Sequence, residues 1–193
     1  MRDVFGIVFS NMHDHMIKQL TANRCMGSLP VGGRYRLIDF VLSAVSNAGI
    51  INTAVITKSN YKSLLDHLGN GREWDLARKR GGLMVLPPAA LSDGGNIYRG
   101  RIEALSGIMS IIRDSKAEDV LIADCDKMAN IDWRKFSAAH RESGAEITVM
   151  YHKVYLGGQP TRDLSTFLLD ESRNVTEMRV NPEIRGEQNE YMN

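Results

Sequence analysis

Short apolar runs alternate along most of the chain with segments of helical periodicity, an order that few folds accept. Val4 to Phe9 reads as a buried strand. Leu37, Val41, Ala44, Val45 and Ala48 then recur at i, i+4, i+7, i+8 and i+11, one face of a helix that Gly49 closes. A strand over Thr53 to Thr57 is followed by a helix from Tyr61 to Leu68, ending at Gly69. Leu83 to Leu86 is a strand stopped by Pro87 and Pro88. A long helix is predicted over Ile97 to Asp114, with Ile102, Leu105, Ile108 and Ile112 inward. Val120 to Ala123 is the next strand, and Trp133 to Ser143 a helix closed by Gly144. Such alternation predicts an α/β fold, a mostly parallel sheet wound by helices through right-handed connections. Ligands of such sheets sit at the carboxyl ends of the strands, here near Ser10, Thr57, Pro87 and Asp124. From Glu146 the rhythm changes. Glu146 to Val154, Phe167 to Leu169 and Val175 to Val180 read as strands with no helix between them, which predicts antiparallel additions near the C-terminus. Leu91 to Asn96 and Gly157 to Asp163 read as polar loops.

With 193 residues, 43% of them hydrophobic, the chain can bury one sizeable core. Lys+Arg 24 against Asp+Glu 23 leaves a net charge of +1, which argues against nucleic acid or an acidic membrane as partner. No apolar run approaches the roughly 20 residues of a membrane span. The opening MRDVFGIVF lacks the pattern of a cleavable signal. Cys25 and Cys125 stand far apart without metal or redox spacing, so a cytoplasmic protein with free thiols is expected.

Three stretches carry candidate chemistry. In GIVFSNMHDH, Gly6 to His15, the first strand turns polar at Ser10 and no glycine follows until Gly27. A loop that brings its amides against phosphates needs glycines there. His13 and His15 face apart on a helix and share a face only on a strand, and no other His/Cys cluster completes a zinc set, so a solvated polar turn is expected. In LIADCDKMANID, Leu121 to Asp132, a buried strand delivers Asp124 and Asp126 to its carboxyl end. Period 2 points both carboxylates the same way, where they can hold Mg2+; equally, Asp124 can simply end the strand while Asp126 caps a turn. In LPVGGRYRLIDF, Leu29 to Phe40, a Gly32-Gly33 turn sets Arg34 and Arg36 before a helix. Those arginines suit a phosphate or carboxylate ligand, or pair with carboxylates such as Asp39.

Four longer stretches resemble the nucleotidyltransferase domain of the ADP-glucose pyrophosphorylase family, in order and spacing. They are RYRLIDFVLSAVSNAGI (Arg34 to Ile50), TKSNYKSLLDHL (Thr57 to Leu68), VLPP (Val85 to Pro88) and YRGRIEAL (Tyr98 to Leu105). SNMHDH, GREWDLARKR (Gly71 to Arg80) and DCDKMANID are similar to the D-type subunit of bacterial glycogen synthesis. The resemblance runs over essentially the whole chain and over the N-terminal half of a family member. It implies a Rossmann-like nucleotide-diphospho-sugar transferase fold over residues 1–193, a partial domain. The remainder of that domain and the left-handed β-helix that follows it in the family are expected to be absent from this chain.

The departures from the family are specific. Catalytic members place G-G-x-G-T-R-L after the first strand; Ser10 to Met16 stands there instead, without glycine or arginine. Arg24 and Cys25 match the family's arginine-alanine pair, which makes Arg24 a vestige by resemblance, but the lysine position holds Met26 and the proline position Gly27. Lys58 replaces a glutamine, and the family's Y-x-G-T-A-D-A reads Tyr98 to Ala104, with Arg101 for the threonine after Gly100. The sugar-phosphate lysine aligns with Asn181 before Pro182, and the metal-binding aspartate with Asp126, preceded by Cys125 where the family has glycine. The resemblance thus places Ser10, Asn11, Lys58, Gly100, Arg101 and Asp124 in the nucleotide or sugar-phosphate region, Asp126 at the metal position, and no intact catalytic set. Mg2+ is the cofactor implied for any activity that remains. The expected partner is a catalytic ADP-glucose pyrophosphorylase subunit, with ATP or glucose 1-phosphate as ligands. An alternative is an active glucose-1-phosphate adenylyltransferase with a rearranged phosphate loop, in which Lys18, Lys58 or Arg101 supplies the missing charge.

Overall fold

The computed structural model describes residues 1–88, 98–154, 164–182 and 191–192. The predicted loops Leu91 to Asn96 and Gly157 to Asp163, and Ile97, lie outside them. The chain divides into two compact units, Met1–Ala138 and Ala139–Asn193. The first runs β1 (Val4–Phe9), α1 (Lys18–Thr21), β2 (Pro30–Val31), β3 (Tyr35–Arg36), α2 (Leu37–Asn47), β4 (Asn52–Ile56), α3 (Lys62–Leu68), β5 (Gly82–Leu86), α4 (Arg101–Gly107), α5 (Met109–Ser115) and β6 (Asp119–Asp124). α6 (Trp133–Ser143) begins in the first unit and ends in the second.

β5, β4, β1 and β6 form a parallel sheet in that order, with Ile7 opposite Ala54 on one side and Ile122 on the other. β1 is an unbroken apolar run because both faces of the sheet are covered. Its alternate residues point into different cores. Val4 and Val8 meet Ile38, Val41, Leu42 and Val45 of α2 with Leu64 and Leu68 of α3. Phe5, Ile7 and Phe9 meet Ala54, Ile56, Tyr98, Ala104 and Ile108. All of these side chains are buried.

The start of α2 is tied to α3. Asp39 accepts the backbone N–H of Arg36 at 2.9 Å, and Nε2 of His67 lies 2.5 Å from its other oxygen. The Arg36 guanidinium donates to the Ser63 carbonyl and, at 2.9 Å, to the Ser63 hydroxyl. Of the two readings of the arginine pair, Arg36 is therefore committed to the fold, though through Ser63 and not through Asp39. Arg34 stays exposed on the β2–β3 hairpin, whose turn takes Gly32 and Gly33 to φ of 60° and 79°.

Two predicted elements differ. The helix expected over Ile97 to Asp114 starts at Arg101 and breaks at Ile108 (φ −109°, ψ 8°), giving α4 and α5. Ile102 is 81% exposed, while Ala104 and Ile108 are fully buried. Once Ala104 faces the core, a residue two positions away points to the opposite side. The strand expected over Glu146 to Val154 is limited to β7 (Lys153–Val154). Ile147 is 80% exposed, and residues 145–152 have no ladder partner among the described residues. In the second unit β8 (Ser165–Leu169) and β9 (Val175–Val180) pair antiparallel, as do β7 and β10 (Tyr191–Met192). The predicted antiparallel additions are there, as two-stranded sheets of their own. No helix among the described residues is long and apolar enough to cross a membrane.

Candidate functional site

The site stands where β1 and β6 end side by side. Phe9 is in register with Asp124, and the Cys125 N–H donates to the Phe9 carbonyl at 2.9 Å. The two loops that leave the sheet are thereby brought together. Nδ1 of His13 lies 2.8 Å from Oδ2 of Asp126 and donates to it, since an ionised carboxylate only accepts. Nη2 of Arg101 donates to Oδ2 of Asp124 at 2.5 Å, its guanidinium 5.7 Å from the centre of the Phe9 ring. One donor atom each from His13, Asp124 and Asp126 lie within 4.8 Å of one another, close enough for a shared cation. The second oxygens, Oδ1 of Asp124 and Oδ1 of Asp126, are buried and have no hydrogen-bond partner among the described residues. The hydrogen bond to Asp126 raises the His13 pKa above its ordinary value, against the opposing effect of burial. Burial pushes the Asp126 carboxyl up, but the His13 hydrogen bond and charge outweigh it, and its pKa falls below the ordinary value.

The segment after β1 is fastened to its own fold. Ser10 is fully buried, and its N–H and hydroxyl donate to the Ile56 carbonyl at 3.1 and 2.9 Å. Its carbonyl accepts the Gly27 N–H at 2.8 Å and the Cys125 thiol at 3.2 Å. With its amide oriented to suit its neighbours, Asn11 accepts the N–H groups of Lys58 and Ser59 at 3.0 and 3.2 Å. The Met26 N–H donates to Oδ1 of Asp14 at 2.7 Å. The Met26 side chain is 6% exposed and belongs to the core. A polar chain therefore occupies the end of β1 as a latch: its side chains consume backbone amides of neighbouring loops.

Asp14 has a testable consequence. Burial, only partly opposed by the Met26 N–H, raises its carboxyl from 3.8 to about 6. A raised acid stabilises the fold below its unfolded pKa, and that contribution is lost as pH rises through about 6. Asp14→Asn keeps the acceptor and removes the charge. Its melting temperature should match the parent near pH 4 and exceed it near pH 7, by about 1–2 kcal/mol in stability once screening of this half-exposed group is allowed for. Melting curves across that range decide it, and a variant weaker at pH 7 would refute the assignment.

The structure places the remaining predicted residues less tightly. Lys58 Nζ lies 5.4 Å over the Tyr98 ring, a cation–π contact. Gly100 is the extended residue before α4, with nothing within 4 Å of where a Cβ would stand. Arg24 is part-buried beside the buried Cys25. Asn181 takes a φ of 49° at the end of β9 and belongs to the second unit. An open depression of about 670 Å³ is lined by Met12, Arg99, Gly100, Arg101, Ile102, Glu103 and Ser106. A somewhat larger groove of about 750 Å³ follows α2 and residues 128–134, but holds neither Asp124 nor Asp126. His13 and Asp14, set aside as a solvated turn by the sequence analysis, are instead bonded at the site, to Asp126 and to the Met26 N–H. The His13 partner is 113 residues away and comes within reach only because β1 and β6 are adjacent in the sheet.

A parallel sheet with its candidate groups at the carboxyl ends of neighbouring strands defines the class: an α/β domain of the nucleotide-handling kind. Within that class the chain belongs to the nucleotidyl transferase family, whose model matches residues 17–159. It is 34% identical over 148 residues to a glucose-1-phosphate adenylyltransferase of Clostridium novyi (strain NT), covering 77% of this chain and 39% of that protein. It is equally 34% identical over 148 residues to glycogen biosynthesis protein GlgD of Bacillus subtilis (strain 168), covering 77% and 43%. With GlgD of Geobacillus stearothermophilus it shares 33% identity over 169 residues, 88% of this chain and 47% of the relative. The chain spans less than half the length of these relatives.

Proposed function

We propose that this chain is part of a catalytically weak subunit, regulatory or structural, that acts in cytoplasmic glycogen synthesis beside a catalytic ADP-glucose pyrophosphorylase subunit. The partner carries the chemistry, ATP and glucose 1-phosphate giving ADP-glucose and pyrophosphate. The glycogen role is supported by relatives named for glycogen biosynthesis and for glucose-1-phosphate adenylyltransferase. The observation that carries the weak catalysis is the latch itself. Ser10, Asn11 and Asp14 are bonded to Ile56, to Lys58 and Ser59, and to Met26, with the Met26 side chain in the core. Adenylyl transfer depends on amides and cations aimed at the phosphates, and these groups are aimed elsewhere.

Mg2+ does not fit the residues present. It favours near-octahedral oxygen ligation and keeps several waters. Here one oxygen of each aspartate is taken by a nitrogen donor, and the other is buried. The alternative of a rearranged active enzyme calls on Lys18, Lys58 or Arg101; Lys58 and Arg101 are already engaged, with Tyr98 and with Asp124, and Lys18 is exposed in α1. In the proposed role the chain biases its partner through an interface, a coupling between sites. The test is turnover by the full-length protein alone, followed by co-expression with a catalytic subunit. Turnover alone that equals a catalytic subunit's would overturn the reading, as would failure to form a complex or to change the partner's rate.

A further inference from the structure

We propose that Arg101 and His13 are resident counter-ions that close the Asp124–Asp126 pair to divalent cations, so that the chain rejects a metal–nucleotide complex at this site. The inference rests on the functional reading above and names the residues that enforce it. Arg101 is the larger obstacle. Its charge is permanent, its fork reaches Asp124 at 2.5 Å, and the Phe9 ring beneath it fixes its direction. His13 fills the corresponding place at Asp126, 2.8 Å away.

The two pairs occupy the mouth of the site: the side chains of Asp124, Asp126 and His13 are 16%, 18% and 18% exposed, and that of Arg101 is 40% exposed. A cation arriving from solvent therefore meets a guanidinium before it meets a free carboxylate oxygen. A divalent ion at the carboxylates would sit close to the guanidinium and be repelled by it. The oxygens left over, Oδ1 of Asp124 and Oδ1 of Asp126, are buried and cannot recruit the water shell that a hard cation keeps. The imidazole nitrogen is also a poor substitute for oxygen toward Mg2+.

Mn2+ serves as the probe, followed by its free-ion paramagnetic signal and by calorimetry on the full chain. The parent should show no saturable binding below about 1 mM, and Arg101→Gln with His13→Gln should bind at least about tenfold more tightly. Adding Asp126→Asn should abolish that gain, and Arg101→Lys with His13 intact should restore exclusion. Arg101→Gln alone, on a part-exposed side chain, is the variant to use if melting shows that the double variant is unfolded. A parent that binds Mn2+ at tens of micromolar through His13, or variants that gain nothing, would overturn the inference. The functional reading fails separately: Mn2+ binding by a chain without turnover sinks only the counter-ion proposal, whereas turnover sinks the reading however Mn2+ titrates.

Discussion

Gly82→Ala should lower stability by at least about 3 kcal/mol, a fall in melting temperature of roughly 6–12 °C for a chain of this size. Gly82 opens β5 at a φ of +90°, where an L side chain is strained. An added Cβ would stand 2.2 Å from the Leu76 carbonyl oxygen and 3.2 Å from the Arg78 nitrogen. The obstacle is backbone that cannot swing aside, because the same Leu76 carbonyl accepts the Leu83 N–H at 3.0 Å. Leu76 is itself in the core, 1% exposed. Gly32→Ala is the control: its φ is +60°, and nothing lies within 4 Å of the new Cβ. That variant carries only the left-handed strain, about 1 kcal/mol. Urea or thermal unfolding of both would settle it, and equal losses would show that the close approach at Gly82 is relieved by movement.

What the sequence discloses depends on how local the cause is. β1 is legible because burial on both faces forces a continuous apolar run, and α2 because its inward residues repeat every turn. The close of α2 at Gly49 and of α3 at Gly69 is equally local, a positive φ that glycine adopts freely. Ile102 misleads because periodicity counted from Ile97 assumes one unbroken helix; the break at Ile108 and the start at Arg101 turn it to solvent. The stretch from Glu146 misleads because alternation of apolar residues marks a strand only where a partner receives it. At the site, the direction of Asp124 and the departure after β1 can be read from the chain. The pairing of His13 with Asp126 cannot, since the two are 113 residues apart and meet only through the parallel register of β1 and β6.

The residues of the site are mutually consistent as a latch. A lysine at position 26 would have to leave the core or drag its charge into it. Met26 instead completes the apolar cluster of Val8, Ile38 and Leu42, while its N–H satisfies Asp14. Arg101 stands beside Asp124 and neutralises a part-buried carboxylate that would otherwise face the site unpaired.

The full-length protein, assayed alone with Mg2+, ATP and glucose 1-phosphate, should turn over at least about 10³-fold more slowly than a catalytic subunit of the family. Removal of one preorganised electrostatic contact typically costs about 10²–10³ in rate, and here the segment after β1 is bonded inward through Asn11 and Asp14 while position 26 is a buried methionine. Simple multiplication would give more, but residues that act as a unit do not multiply, so the lower figure is the defensible one. Grafting the family's glycine-rich loop over Ser10 to Met16 together with Met26→Lys should then raise the rate by about 10². Met26→Lys alone should give no gain and should cost about 2 kcal/mol or more in stability, because the side chain is 6% exposed in an apolar cluster. The loop must change first, since Asp14 and Asn11 hold the segment inward through Met26, Lys58 and Ser59. A graft that lowers an activity already present would instead mean that Lys18, Lys58 or Arg101 had been serving the phosphates, and the chain would be an enzyme with a rebuilt site.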